Sequence, residues 1–259
     1  MKKFTKVIAV VLAVAFVAAA FAACSGGSTK EKAKLTLATS ADFPPYEFVG
    51  DNGDYVGIDI EIAKAIADKL GRELVVENMD FDSIVGAVST GKTDMGMAGL
   101  TVTPDRLESV DFSSSYAKGI QAVIVREDSA IKTVDDLYAD GATYKVGAQL
   151  STTGDIYFGD DIAAGDTTCT LEEYQAGADA VAALVAGKID AVIIDNEPAK
   201  SFVAANSGLK ILDTEYANED YAIAFPKNSA LVEDVNKALE ELIADGTVQK
   251  IVDTYIPAK

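Results

Sequence analysis

The sequence predicts an α/β chain built as two similar lobes, and three observations carry that reading. From Leu35 onward, apolar runs of strand length alternate with stretches of helical spacing. A segment recurs: Ala87–Gly99 returns in outline as Ala183–Asp195, pairing Gly91 with Gly187, Lys92 with Lys188, Asp94 with Asp190 and Gly99 with Asp195. The chain of 259 residues is long enough for one large or two small domains. Each copy of the repeat reads as helix end, Gly-Lys turn, buried strand, then a loop at the strand's carboxyl end. Ligands of open α/β sheets gather at such ends, so Gly99 and Asp195 become equivalent positions on one cleft. Divergent βα units with no shared site would leave the same repeat.

The first 34 residues read as an address and a tether. Lys2, Lys3 and Lys6 precede an unbroken apolar run, Val7 to Ala23, and Cys24 follows two alanines. This is the basic, apolar and small-residue order of a secretory signal over residues 1–23. Ala22-Ala23-Cys24 resembles a lipobox, which implies lipidation of Cys24, although Phe21 stands where a branched aliphatic residue is usual. Simple secretion is the other outcome. Residues 24–34 are small and polar, suited to a flexible leash.

Composition excludes several functions. The chain carries 41 acids against 22 Lys and Arg, a net charge of −19, and cleavage of the leader would remove Lys2, Lys3 and Lys6 but no acid. Nucleic acid and anionic membrane surfaces both need a cationic face, so neither is an expected partner. There is no histidine, and Cys169 is the only cysteine besides Cys24. That removes a Ser-His-Asp triad, a zinc site and an internal disulfide framework. No metal and no cofactor are expected.

Leu35 to Thr39 alternates like a strand, and Ser40 to Phe48 leaves it as an irregular loop. Asp51-Asn-Gly-Asp54 is a hairpin turn signal. It opens like a calcium loop, but Gly53 and Tyr55 stand where oxygen ligands belong. Asp59 suits the cap of a helix over Ile62, Ala63, Ile66, Ala67 and Leu70, stopped by Gly71. Leu74 to Val76 reads as a strand and Ser83 to Thr90 as a short helix. Gly86 to Thr93 matches the phosphate-loop pattern letter for letter, but that loop lies between a strand and the start of a helix. Here a helix precedes and a strand, Asp94 to Ala98, follows, so the match reads as a helix stop and a turn. Further strands are predicted near 122–125, 144–148, 209–212 and 221–226. Helices are predicted at 134–137, 198–206, 231–243 and 248–255.

The stretch Gly99 to Arg106 carries the chemistry. A glycine lets backbone approach a ligand, Thr101 and Thr103 add hydroxyls, and Pro104-Asp105 open a helix with Arg106 in its first turn. Backbone N–H groups, hydroxyls and a guanidinium fork make a receptor for a carboxylate. Taken alone, the octapeptide favours a capped helix whose Arg106 merely pairs with a neighbouring acid. Gln149 to Gly154 is a second hydroxyl-rich corner, and Asp195 supplies an acceptor opposite Arg106, an arrangement that suits a zwitterion.

Ordered segments along residues 35–257 resemble one family. They are Ala38-Thr39 with Phe43-Pro-Pro-Tyr-Glu-Phe48, Gly57-Ile-Asp-Ile60, Met79-Asp-Phe81, Ala98 to Arg106, Val110-Asp-Phe-Ser113, Gly187 to Asp195 and Tyr221 to Lys227. The resemblance is to the polar amino-acid family of extracytoplasmic solute-binding proteins, the receptors of ABC importers. It implies a type II periplasmic-binding-protein-like fold, α/β, each lobe a mixed, mostly parallel sheet flanked by helices. Lobe 1 would comprise 35–116 with 221–259 and lobe 2 121–217, joined by crossover strands at 116–120 and 217–221. Carried onto this chain, Arg106 should take an α-carboxylate, helped by Thr101, Gly99, Thr152 and Thr153. Asp195 should hold the α-ammonium beside the Gly99 carbonyl. Phe43 and Phe81 should sandwich the side chain, while Phe48 is expected mostly inside.

The resemblance implies a monomeric receptor, not an enzyme, held by a lipid anchor on the outer face of the cell membrane. It would deliver a free L-amino acid to an ABC permease as its lobes close. Ser40 stands where receptors for basic ligands often carry an acid, and Gln149 and Ile194 are uncharged, which points to a polar uncharged ligand. Asp42 and Asp220 are expected as solvated loop acids. A dehydratase on the same fold and a sensor for a separate signalling partner are the alternatives. The first needs a carboxyl over the substrate, and no cleft acid beyond Asp195 is expected.

Overall fold

The computed structural model describes residues 32–257, so the expected leader, Cys24 and nearly all of the tether lie outside the described residues. The chain opens with β1 (Lys34–Thr39), β2 (Asp42–Phe43), β3 (Glu47–Val49) and β4 (Tyr55–Val56), then α1 (Ile58–Lys69) and β5 (Glu73–Asn78). It continues through α2 (Phe81–Ser89), β6 (Met95–Gly96), α3 (Pro104–Ser109), β7 (Val110–Phe112) and the long β8 (Ala117–Arg126). After a 3₁₀ turn at Val134–Leu137 come β9 (Lys145–Gln149), α4 (Thr153–Ala164), β10 (Thr170–Tyr174), α5 (Gly177–Val185), β11 (Ala191–Asp195) and α6 (Asn196–Ala205). The remainder is β12 (Leu209–Ile211), β13 (Ala217–Tyr221), β14 (Ala224–Pro226), α7 (Leu231–Ala244) and α8 (Thr247–Tyr255).

Two sheets organise these elements. The first runs β5-β1-β6-β14-β7, with β1 parallel to β5 and β6, and β14 antiparallel to β6 and β7. The second runs β10-β9-β11-β8-β12, parallel across β10-β9-β11 and antiparallel where β8 meets β11, β12 and β13. Both sheets are mixed and mostly parallel, as expected, with one strand in each, β14 and β8, running back against its neighbours. Leu35 and Leu37 of β1 and Ile58, Ile62 and Ile66 of α1 are fully buried. Each such side chain contributes about 1.5–3 kcal/mol of transfer free energy. α1 also packs on α7 and α8, which closes that face of the first sheet.

Two strands join the sheets. β8 and β13 pair antiparallel, Ala117 opposite Tyr221 and Gln121 opposite Ala217, and β8 then continues into the second sheet. The ribbon is tight: a Cβ on Gly119 would lie 2.2 Å from the Tyr221 ring.

Several local expectations change. Asp59 is not a cap; Gly57 holds that position, and Asp59 sits fully buried in the first turn of α1. The apolar run Tyr221 to Pro226 is two strands, because Tyr221 ends β13 while Ala224 pairs with β6 and β7. Phe48 is half-buried, packed edge-on against Tyr255 with 6.2 Å between ring centroids. The phosphate-loop look-alike does straddle the end of α2 and the turn before β6, the reverse of a phosphate loop.

Candidate functional site

At the end of β6 the chain turns at Gly99, whose φ of +53° belongs to the left-handed region. A Cβ there would stand 3.2 Å from Cε1 of Phe43, so ring and backbone are in close register. The Gly99 N–H donates to Asp59 Oδ2 at 2.9 Å, which commits a group expected to face a ligand and leaves the carbonyl. Thr103 caps α3, its hydroxyl accepting from the Arg106 N–H at 3.2 Å, and Pro104 opens the helix. The Thr101 hydroxyl also has a protein partner, donating to Glu219 Oε2 at 2.9 Å.

Arg106 emerges from that first turn and is 7% exposed. Its Nη1 donates to the Thr101 carbonyl at 2.8 Å and its Nη2 to the Ser151 carbonyl at 2.9 Å, reaching across to the second sheet's side of the cleft. The guanidinium carbon lies 5.6 Å from the Phe81 ring centroid, a cation–π distance. Among the described residues, the salt bridges do not include Arg106, so its setting is not that of an arginine merely paired with a neighbouring acid. Burial lowers its pKa to about 10, opposed by the charge of Glu219, and it stays cationic at neutral pH.

The opposite wall comes from β9, α4 and β11. Ser151 takes a left-handed φ of 64°, its N–H donates to Asp155, and Thr152 caps α4. The Thr152 hydroxyl donates to the Gln149 carbonyl at 2.7 Å, and the Gln149 amide donates to Gln175. Asp195 ends β11, 7% exposed, and its Oδ1 is buried without a hydrogen-bond partner among the described residues. Burial holds its carboxyl well above the usual range and the charge of Glu219 adds to that, while Gln121 and Arg106 draw it down.

One cavity lies between the walls. Its lining includes every expected binding residue: Ser40, Phe43, Phe81, Gly99, Thr101, Arg106, Gln149, Thr152, Thr153 and Asp195. It also includes Asp42, an exposed acid at the rim, and Glu47, so the expectation of no cleft acid beyond Asp195 is wrong. Glu47 is fully buried and neither carboxyl oxygen has a donor among the described residues. Asp59 stands behind it, accepting from Gly99 N–H and, at 2.8 Å, from the Tyr116 hydroxyl. Asp220 is placed elsewhere, paired with Lys118 on the ribbon. Sequence reasoning missed Glu47, Asp59, Gln121 and Glu219.

The arrangement is a slot lined by the buried Arg106 guanidinium and the buried Asp195 carboxyl and flanked by the Phe43 and Phe81 rings. The description "Bacterial extracellular solute-binding proteins, family 3" matches residues 35–258. The arginine-binding extracellular protein ArtP of Bacillus subtilis is 34% identical over 255 residues, covering 97% of this chain and 96% of its own. A solved ancestral arginine-binding protein bound to arginine is 39% identical with a TM-score of 0.80, covering 87% of this chain and 99% of its own. An ancestral arginine-binding protein bound to glutamine is likewise 39% identical, with a TM-score of 0.79 and coverage of 88% and 99%. The chain belongs to the extracellular solute-binding proteins of family 3, the amino-acid-binding receptors of ABC transporters, with their type II two-lobe α/β fold.

Proposed function

We propose that this protein binds one L-amino acid between its lobes and presents the closed form to an ABC permease. The observation that carries this is the pair of facing groups, the buried Arg106 guanidinium and the unpartnered Asp195 oxygen, on one cavity. Arg106 takes the α-carboxylate, with Thr152 and Thr153 at the same end; Asp195 and the Gly99 carbonyl take the α-ammonium. Charge-assisted bonds in a desolvated site are worth about 1.5–3 kcal/mol each. Phe43 and Phe81 bracket the side chain. Lobe 1 is 35–116 with 221–259, lobe 2 is 121–217, and the β8–β13 ribbon is the hinge. Contacts from both walls form together only when the cleft is shut, so the ligand shifts the open–closed equilibrium. No covalent bond of the ligand is made or broken.

Ser40 and Gln149 accommodate a polar uncharged side chain, but Glu47 and Asp42 on the same cavity favour a cationic one. The likeness to proteins named for arginine supports the cationic reading, and glutamine in the second ancestral structure keeps the uncharged one as the alternative. The receptor acts as a monomer, anchored outside the membrane through lipid on Cys24. Calorimetric titration tests the reading. L-arginine or another amino acid should bind at one site per chain, and Arg106→Ala and Asp195→Asn should each abolish the heat. Unchanged binding in both variants would place the ligand elsewhere.

A further inference from the structure

Glu47 and Asp59 are both fully buried, the Asp59 N–H donates to the carbonyl of Tyr46, the residue before Glu47, at 2.9 Å, and each carboxyl group acts on the ionisation of the other. Two ionised carboxylates cannot share such a contact without a donor between them. Asp59 Oδ2 already accepts from the Gly99 N–H and the Tyr116 hydroxyl, which favours its ionised form. Asp59 Oδ1 and both Glu47 oxygens have no partner among the described residues. A single proton on Glu47, donated to Asp59, resolves the contact.

We propose that Glu47 and Asp59 form a one-proton carboxyl pair at the wall of the cavity, which gives up its proton when a cationic side chain binds and keeps it when the side chain is neutral. This rests on the amino-acid reading above and adds the means by which the site reads charge. Protonated, Glu47 offers the cavity an uncharged acceptor suited to an amide. Ionised, it offers a carboxylate suited to a guanidinium, and the proton leaves to solvent.

The groups around the pair set no competing cation beside it. From β2 comes Asp42, from the loop before β3 Tyr46, from the segment before β8 Tyr116, and from β11 Asp195; Glu197 on α6 and Tyr221 on β13 face Tyr46. All are acids or phenols. Among the described residues lining the cavity the one cation is Arg106, assigned to the α-carboxylate. Burial, then the charge of Asp59, hold the Glu47 carboxyl well above its ordinary range.

Calorimetry of the purified protein with L-arginine and with L-glutamine, each in two buffers of different ionisation enthalpy at pH 7, counts the protons released. The pair predicts close to one proton per arginine and none per glutamine. Arginine affinity should rise by up to about tenfold per pH unit on the acid side while glutamine affinity stays level. Glu47→Gln, which keeps a donor toward Asp59 but cannot titrate, should abolish the release and lower the arginine-to-glutamine affinity ratio about tenfold or more. Arginine binding without proton release, or equal release with both amino acids, overturns the pair and leaves the receptor reading standing. No binding of any amino acid overturns the receptor reading, and the pair falls with it.

Discussion

At Gly99 a single hydrogen in place of a side chain permits both the left-handed turn and the close approach of Phe43. Gly99→Ala should cost about 1–2 kcal/mol of stability from the backbone alone, read as a lower denaturation midpoint, and should weaken ligand affinity as Phe43 is displaced. At Arg106 the fork matters as much as the charge, since two of its N–H groups hold carbonyls from both walls. A lysine provides a point charge without that fork, so Arg106→Lys should lose roughly 100-fold or more in affinity by titration. The corner that carries these residues was legible because its signals are local: a glycine, a capping threonine and a proline at the first helical position. Asp59 and Glu219 were not legible, because their partners Gly99 and Thr101 lie 40 and 118 residues away in sequence. Glu47 was in plain view, but nothing local marks a glutamate as buried.

Among the elements, the β8–β13 ribbon is the most exacting. Gly119 faces the Tyr221 ring so closely that a methyl group must push strand or ring aside. Gly119→Ala should destabilise the protein by about 1–3 kcal/mol, as overpacking does. It should also leave the liganded protein more extended in small-angle scattering; an unchanged scattering curve would argue against the ribbon as the hinge. The repeated helix–turn–strand unit was readable from sequence, since glycine stops and apolar strands repeat at the same spacing. The split of Tyr221 to Pro226 into β13 and β14 was not, because one continuous apolar run serves two sheets and only pairing partners tell them apart.

For the whole molecule, acidity is the dominant feature. Besides the net charge of −19, the fold buries Glu47, Asp59 and Asp195, whose carboxyl groups burial pushes up, Asp59 to about 6. Between the unfolded carboxyl range near 4 and those raised values, the folded state holds protons that the unfolded chain has lost. Stability of the ligand-free protein should therefore fall as pH rises across that window. Its melting temperature should be higher at pH 5.5 than at pH 7.5, and Glu47→Gln should flatten the difference. The two-lobe α/β class itself followed from alternation and repeat, whereas the clustering of buried acids behind the cleft is a property of the assembled sheets alone.

The central claim is an amino-acid receptor whose head-group grip is Arg106 and Asp195. A thermal-shift screen of the ligand-free protein against the proteinogenic L-amino acids tests it most directly. A ligand at a hundredfold excess over its dissociation constant adds about 2.7 kcal/mol, or roughly 5–10 °C for a domain of this size. The account predicts such a shift with arginine or a few related amino acids, lost in Arg106→Ala and Asp195→Asn. A flat response across the whole panel would contradict it.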